Sequence, residues 1–313
     1  MDRPGFSSSA FVETFNLTTG HTKSVNCVCF SPGSNYLASG GDDGTLILWN
    51  VVNGALMYRL LFGNGVDCII WHPVVPDTIM VGCRGGKLFQ LHDFSLTSVE
   101  THAIRLGVSG AIYCLAYDTT TKCLAIGMGS EVHITHERNP NEYTGDIKIP
   151  TPPSLAYTEP DTDGRLRAVT LQFYNEGTSL IVSYLAHGIV CWDIGTRTQL
   201  WSIIPPSGTP HVRQHVQNNM STYTVLRSSA LSPDRSSIII HNVQEGLHLY
   251  SIGYLKNQSP ILRNYKFEAA PRKKYRLQVA YLHQGQAVVC GTTTGNVCNL
   301  GNGERRYFSV APS

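Results

Sequence analysis

The sequence predicts an all-β fold, a β-propeller of four-stranded antiparallel blades, and three observations carry that expectation. The stretch from Val25 to Asn50 reads as three short strands, because β-branched, aromatic and apolar runs are cut by turn residues at Ser31-Pro32-Gly33 and at Asp42-Asp43-Gly44. A fourth strand, Ala55 to Leu61, follows the turn Val52-Asn53-Gly54. Imperfect copies of this unit recur along the rest of the chain. One four-stranded sheet cannot bury both of its faces, so such units become stable when several stack around an axis and each covers the next.

Aligned on the residue that ends the first strand, Phe30 is answered by Trp71, Tyr117, Phe173, Leu231 and Tyr281, which makes six units. The first interval matches a blade repeat of about 40 to 45 residues. The later intervals are longer and read as loop insertions. The second unit is compact, Leu60 to Thr101, with Trp71-His72-Pro73 standing where Phe30-Ser31-Pro32 stood. The third, Ala111 to His136, is followed by a polar excursion from Arg138 to Gly164 that holds Pro150, Pro152, Pro153 and Pro160. Proline denies a ladder its N–H donors, so this excursion is expected to form a surface loop and no strand. A second such loop runs from Ile204 to Thr222.

The last unit brings a fourth strand, Tyr307 to Val310, after the turn Gly301-Asn302-Gly303. A lone strand, Phe11 to Leu17, precedes the first unit, so two segments compete to form the outer edge of the last blade. Either the ring has six blades with a loose tail or, as the favoured expectation, it has a seven-bladed ancestry with a part missing or displaced, within one domain spanning residues 1–313.

Gly20-His21 followed by Ser39-Gly40-Gly41-Asp42-Asp43-Gly44 and Trp49-Asn50 resembles the WD40 repeat family. The resemblance implies a buried hydrogen-bond chain through Trp49, Ser39, His21 and Asp43. An indole N–H only donates, a hydroxyl relays, and an imidazole bridges to a carboxylate, so each buried polar group would find a partner. Later units depart from the pattern: Gly85 and Leu91 replace Asp43 and Trp49 in the second, Trp192-Asp193 persists but Ala186 replaces Asp43 in the fourth, and Tyr250 and Leu300 replace Trp49 in the last two. Those blades are expected to rely on apolar packing.

Composition excludes several function classes. With 42% hydrophobic and 15% charged residues the chain can build a large core. A net charge of +2 favours neither nucleic acid nor a membrane surface. The N-terminus has no apolar signal segment and no run of 18 apolar residues occurs, so the expected setting is cytoplasmic or nuclear. The nine cysteines lack metal or redox spacing and read as small core residues. Asn16, Asn219 and Asn257 open glycosylation acceptor sequences, which matter only in a secreted chain.

No catalytic motif emerges. Gly291 to Asn296 lacks the Gly-Lys-Ser/Thr ending of a phosphate loop, and His133 and His136 fall on opposite faces of a strand. The basic cluster Arg272-Lys273-Lys274-Tyr275-Arg276 reads as a solvated loop, with a phosphate-binding or localisation role as the alternative. The expected function is a non-catalytic scaffold that binds protein partners, without cofactor, metal or small-molecule substrate. A substrate receptor of a ubiquitin ligase is the alternative within that class, and a propeller hydrolase of the sialidase or lactonase sort the alternative outside it. The turn between second and third strands faces one rim in every blade, so Lys23, Asp42, Arg84, Tyr184, Leu185 and Val243 form the candidate partner-binding rim.

Overall fold

The computed structural model describes residues 14–17, 19–94, 99–104, 109–140, 142–152, 166–205, 226–242, 246–252, 261–265, 277–291, 296–301 and 305–309. Each interval predicted as a repeat closes into one four-stranded antiparallel sheet whose strands pair in chain order. The first sheet holds β1 (Val25–Phe30), β2 (Tyr36–Gly41), β3 (Thr45–Asn50) and β4 (Leu56–Leu61); the second holds β5 (Val66–Trp71), β6 (Ile79–Cys83), β7 (Leu88–His92) and β8 (Glu100–Ile104). The third is β9 (Ile112–Asp118), β10 (Cys123–Met128), β11 (Glu131–Asn139) and β12 (Glu142–Ile149), and the fourth is β13 (Ala168–Tyr174), β14 (Ser179–Tyr184), β15 (Gly188–Asp193) and β16 (Gln199–Ile203). The fifth comprises β17 (Leu226–Leu231), β18 (Ser237–Asn242), β19 (Gly246–Ser251) and β20 (Ile261–Tyr265), and the sixth comprises β21 (Val279–Leu282), β22 (Ala287–Gly291), β23 (Asn296–Gly301) and β24 (Arg305–Ser309). The first strands β1, β5, β9, β13, β17 and β21 touch one another in that order, the arrangement of blades around an axis.

The core lies between sheets. Cys27, Ala38, Leu46 and Leu48 of the first sheet bury against Val66, Ile69, Trp71, Ile79 and Leu91 of the second. Apolar clusters of the same kind join the second sheet to the third, the third to the fourth, the fourth to the fifth and the fifth to the sixth. The middle strands are therefore apolar on both faces, as β3 and β14 are along nearly their whole length.

The join between the sixth and first sheets differs. Val25, Val28 and Phe30 of β1 occupy the register positions of Val66, Ile69 and Trp71 of β5. They are 48, 46 and 57% exposed, against 0, 6 and 6% for their counterparts. A direct link crosses this join: the Val28 amide donates to Gln278 Oε1 at 3.4 Å. The outer part of the same face is covered by the segment before β1. A Cβ on Gly20 would lie 2.4 Å from the Trp49 ring, and the ring of Phe15 lies against Gly54. Arg59 ties this segment down by donating to the Gly20 carbonyl at 2.5 Å.

Two expectations are corrected. The excursion expected from Arg138 to Gly164 is strand as far as Ile149, since β11 and β12 form a hairpin turning at Pro140. Pro150 and Pro152 come after the last ladder residue, so no proline removes a bond from it; residues 153–164 lie outside the described residues. The expected edge strand from Phe11 to Leu17 has no strand among its described residues 14–17, and β24 completes the sixth sheet by pairing with β23. In the second loop, only Ile204 and Pro205 are described.

Candidate partner-binding rim

The turns joining β2 to β3 and β6 to β7 lie side by side on one rim. Gly44 and Gly86 close them at φ of 76° and 79°, where an L side chain is strained, and a Cβ on Gly86 would lie 2.7 Å from the Gly110 carbonyl oxygen. Backbone therefore sets the tips of these turns, and their acidic and basic residues are held in fixed places.

Behind the first turn runs a polar chain from the core to the rim. Trp49 Nε1–H donates to Ser39 Oγ at 2.9 Å, and Ser39 Oγ meets His21 Nε2 at 2.8 Å. The other ring nitrogen of His21 reaches Asp43 Oδ1 at 3.1 Å. Ser39 accepts from the indole and its own O–H can donate to Nε2, with Nδ1–H then directed at Asp43. Asp43 also accepts from the Thr22 amide at 2.8 Å and from the Thr45 hydroxyl at 2.7 Å. Burial pushes its carboxyl up, but the donors from Thr45, Thr22 and His21 outweigh it and hold the group well below the usual carboxylate range. No such chain forms in the fourth blade, where Val182 stands opposite Val190 at the register position that Ser39 occupies opposite Ile47.

The rim itself is bridged by one guanidinium. Arg84 donates to Asp67 through Nε at 3.1 Å and Nη2 at 2.7 Å, and to Asp42 Oδ1 at 2.8 Å, so it clamps the first blade to the second. Asn26 Nδ2 also donates to Asp42 at 2.9 Å and to the Val66 carbonyl at 3.1 Å. The Asn26 hydrogen bond is the largest cause lowering the Asp42 carboxyl, with Arg84 and Lys23 adding to it. The Asp67 side chain is 5% exposed, whereas that of Arg84 is 52% exposed. Lys23 is exposed beside them.

Two of the other expected rim residues pack inward instead. Tyr184 is 1% exposed and belongs to the core between the third and fourth blades, so it presents nothing to a partner. Leu185 is half-buried and packs onto the cluster between the fourth and fifth blades, because an apolar turn residue gains more from its neighbours than from water. Val243 lies outside the described residues. Sequence reading missed Asp67 and Asn26; both sit on first strands, where the strand pattern alone marks them as interior.

Arg84 also has a structural task that a turn-tip reading conceals. Arg84→Glu should destabilise the protein by about 1–3 kcal/mol, since the buried Asp67 carboxylate loses both hydrogen bonds from the guanidinium and faces a like charge instead. Lys23→Glu should leave the thermal melt unmoved. Equal melts for the two variants would show that Asp67 is satisfied without Arg84.

His133 and His136 do not form a paired site. His133 is buried with Nδ1 on Asp146 at 2.9 Å and Nε2 on Glu131 at 3.0 Å, while His136 is exposed on the other face of β11.

Comparison with known proteins agrees with this geometry at its best-formed repeat. The family model for the WD domain, G-beta repeat, matches residues 12–50. The chain carries a WD40 repeat at residues 12–50. The β-propeller domain of Cps50 (Swd1) from Myceliophteria thermophila superposes with a TM-score of 0.66, covering 93% of this chain and 88% of that one at 15% identity, a likeness of fold alone. Ribosome biogenesis protein ERB1 of Yarrowia lipolytica is 31% identical over 100 residues, which cover 28% of this chain and 12% of that protein. Small ribosomal subunit protein RACK1 of Schizosaccharomyces pombe is 38% identical over 65 residues, 20% of this chain and 21% of that protein. The chain thus matches these relatives over a small part of their own length. Among the described residues no helix is long and apolar enough to cross a membrane.

Proposed function

We propose that this WD40 propeller is a non-catalytic scaffold that binds a protein partner on the rim formed by Lys23, Asp42 and Arg84. The observation that carries the reading is the Arg84 clamp. A half-exposed guanidinium held by two carboxylates on adjoining blades offers a partner a pre-arranged charged surface, so little side-chain entropy is lost on contact. The whole chain acts as one domain in this reading. Its similarity to segments of a ribosome biogenesis protein and a small ribosomal subunit protein supports a cytoplasmic or nuclear setting. A seven-bladed ancestry is supported by the exposure of Val25, Val28 and Phe30 on the face that a preceding blade covers elsewhere.

The test compares proteins captured by the wild-type chain and by Lys23→Glu, with the melts of both recorded. A set of partners lost on Lys23→Glu at an unchanged melt is the expected result. An unchanged set sends the binding surface elsewhere. If ubiquitin-ligase subunits dominate the captured set, the receptor alternative is the better account. Hydrolysis of sialosides or sugar esters by the purified chain would replace the scaffold reading with the hydrolase one.

A further inference from the structure

The outer edge of the second blade gathers metal-ligating side chains that no repeat signature explains. His92 ends β7 and lies directly opposite Glu100, which opens β8. Asp93 follows His92, and the three offer ligand atoms that all lie within 4.8 Å of one another. His102 pairs with Gln90 two residues along the same ladder, which puts it on the same face as His92 and Glu100; the two imidazole rings are 6.4 Å apart. The pairing of β7 with β8 holds the set in place.

Two distances distinguish the roles. His92 Nδ1 lies 2.8 Å from Asp93 Oδ2, a hydrogen-bond length, and His92 Nε2 lies 3.8 Å from Glu100 Oε2, beyond one. Bonds of about 2.0–2.2 Å from a zinc-like ion, at tetrahedral or wider angles, set ligand atoms roughly 3.3–4 Å apart. The longer spacing is that of two ligands sharing a cation, and the shorter is that of a carboxylate orienting a ligating imidazole from behind. We propose that His92 Nε2 and Glu100, with water in the remaining positions, bind a first-row divalent cation such as Zn²⁺, and that Asp93 positions the His92 ring. Nitrogen and oxygen donors of this kind suit Zn²⁺, Co²⁺ and Ni²⁺ better than Mg²⁺ or Ca²⁺. The edge faces solvent, since the Asp93 and Glu100 side chains are 75 and 66% exposed, so an ion can enter without any opening of the blade. Such an ion would staple the outermost strand of the blade to its neighbour.

The test titrates the full-length chain with Co²⁺, read by its d–d absorption, and repeats the titration with Zn²⁺ by calorimetry. One ion per chain is expected, without a sulfur-to-cobalt charge-transfer band. His92→Ala and Glu100→Gln should abolish binding, and Asp93→Asn should weaken it about 10- to 100-fold while keeping the stoichiometry. Metal-free melts of the variants control for folding, and Glu100→Gln, being largely in solvent, decides the matter if His92→Ala unfolds. Unchanged binding in Glu100→Gln, a thiolate band that survives His92→Ala, or no binding by the wild-type chain would overturn the proposal.

Discussion

Lowering the pH from 7.5 to 4.5 is expected to remove up to about 3 kcal/mol of stability through one buried side chain, His241. This residue lies on β18, 2% exposed. Its pKa is pushed down to about 4, chiefly by burial, with the Leu277 backbone opposing the shift and Arg227 adding to it. The folded value lies below the ordinary value of about 6.5, so between the two the unfolded chain binds a proton that the folded chain refuses. The contribution is therefore intact above about pH 6.5 and is lost as pH falls toward 4, at about 1.4 kcal/mol per unit. Denaturant melts across this window check the expectation, with His241→Gln as the comparison. The variant should be less stable at pH 7.5 and show a shallower loss on acidification. Parallel pH profiles for the two proteins would mean that His241 titrates alike in both states.

Asp43→Ala is the second large effect, a loss of about 1–3 kcal/mol near neutral pH. The substitution takes the acceptor from His21, the Thr22 amide and the Thr45 hydroxyl together, all of them behind the rim. Asp42→Ala should cost less, because the Asp42 side chain is 32% exposed and water can replace it for both Asn26 and Arg84. Acid separates this site from His241. The Asp43 carboxyl is held below its ordinary range, so its contribution is present above about pH 4 and is lost only as pH falls toward the depressed folded value. Equal destabilisation by the two aspartate substitutions would place the polar chain in the wrong register.

What the amino-acid sequence determined by itself was local and periodic. Turn residues at Ser31-Pro32-Gly33 and Asp42-Asp43-Gly44 delimit β1 to β3, and six strand-ending residues from Phe30 to Tyr281 each close the first strand of a sheet or lie within it. His21, Ser39, Asp43 and Trp49 could be named in advance because all four lie within one repeat, where spacing along the chain nearly fixes spacing in space. What depended on neighbouring blades could not be read this way. Leu185 in a turn and Tyr184 beside it looked like surface, but the burial of a turn residue is set by the adjoining sheet. Asp67 and Asn26 looked like interior, and only the packing of the first two blades turns them toward Arg84 and Asp42. The hairpin of β11 and β12 was hidden because proline density was read over a whole segment, while a ladder is broken only by a proline at a position that must donate. His92 and Glu100 are eight residues apart with no motif between them, and strand pairing alone sets them opposite each other. Hydrogen-bond register and blade-to-blade contact are properties of the folded chain, so tertiary structure alone decided which charged residues meet.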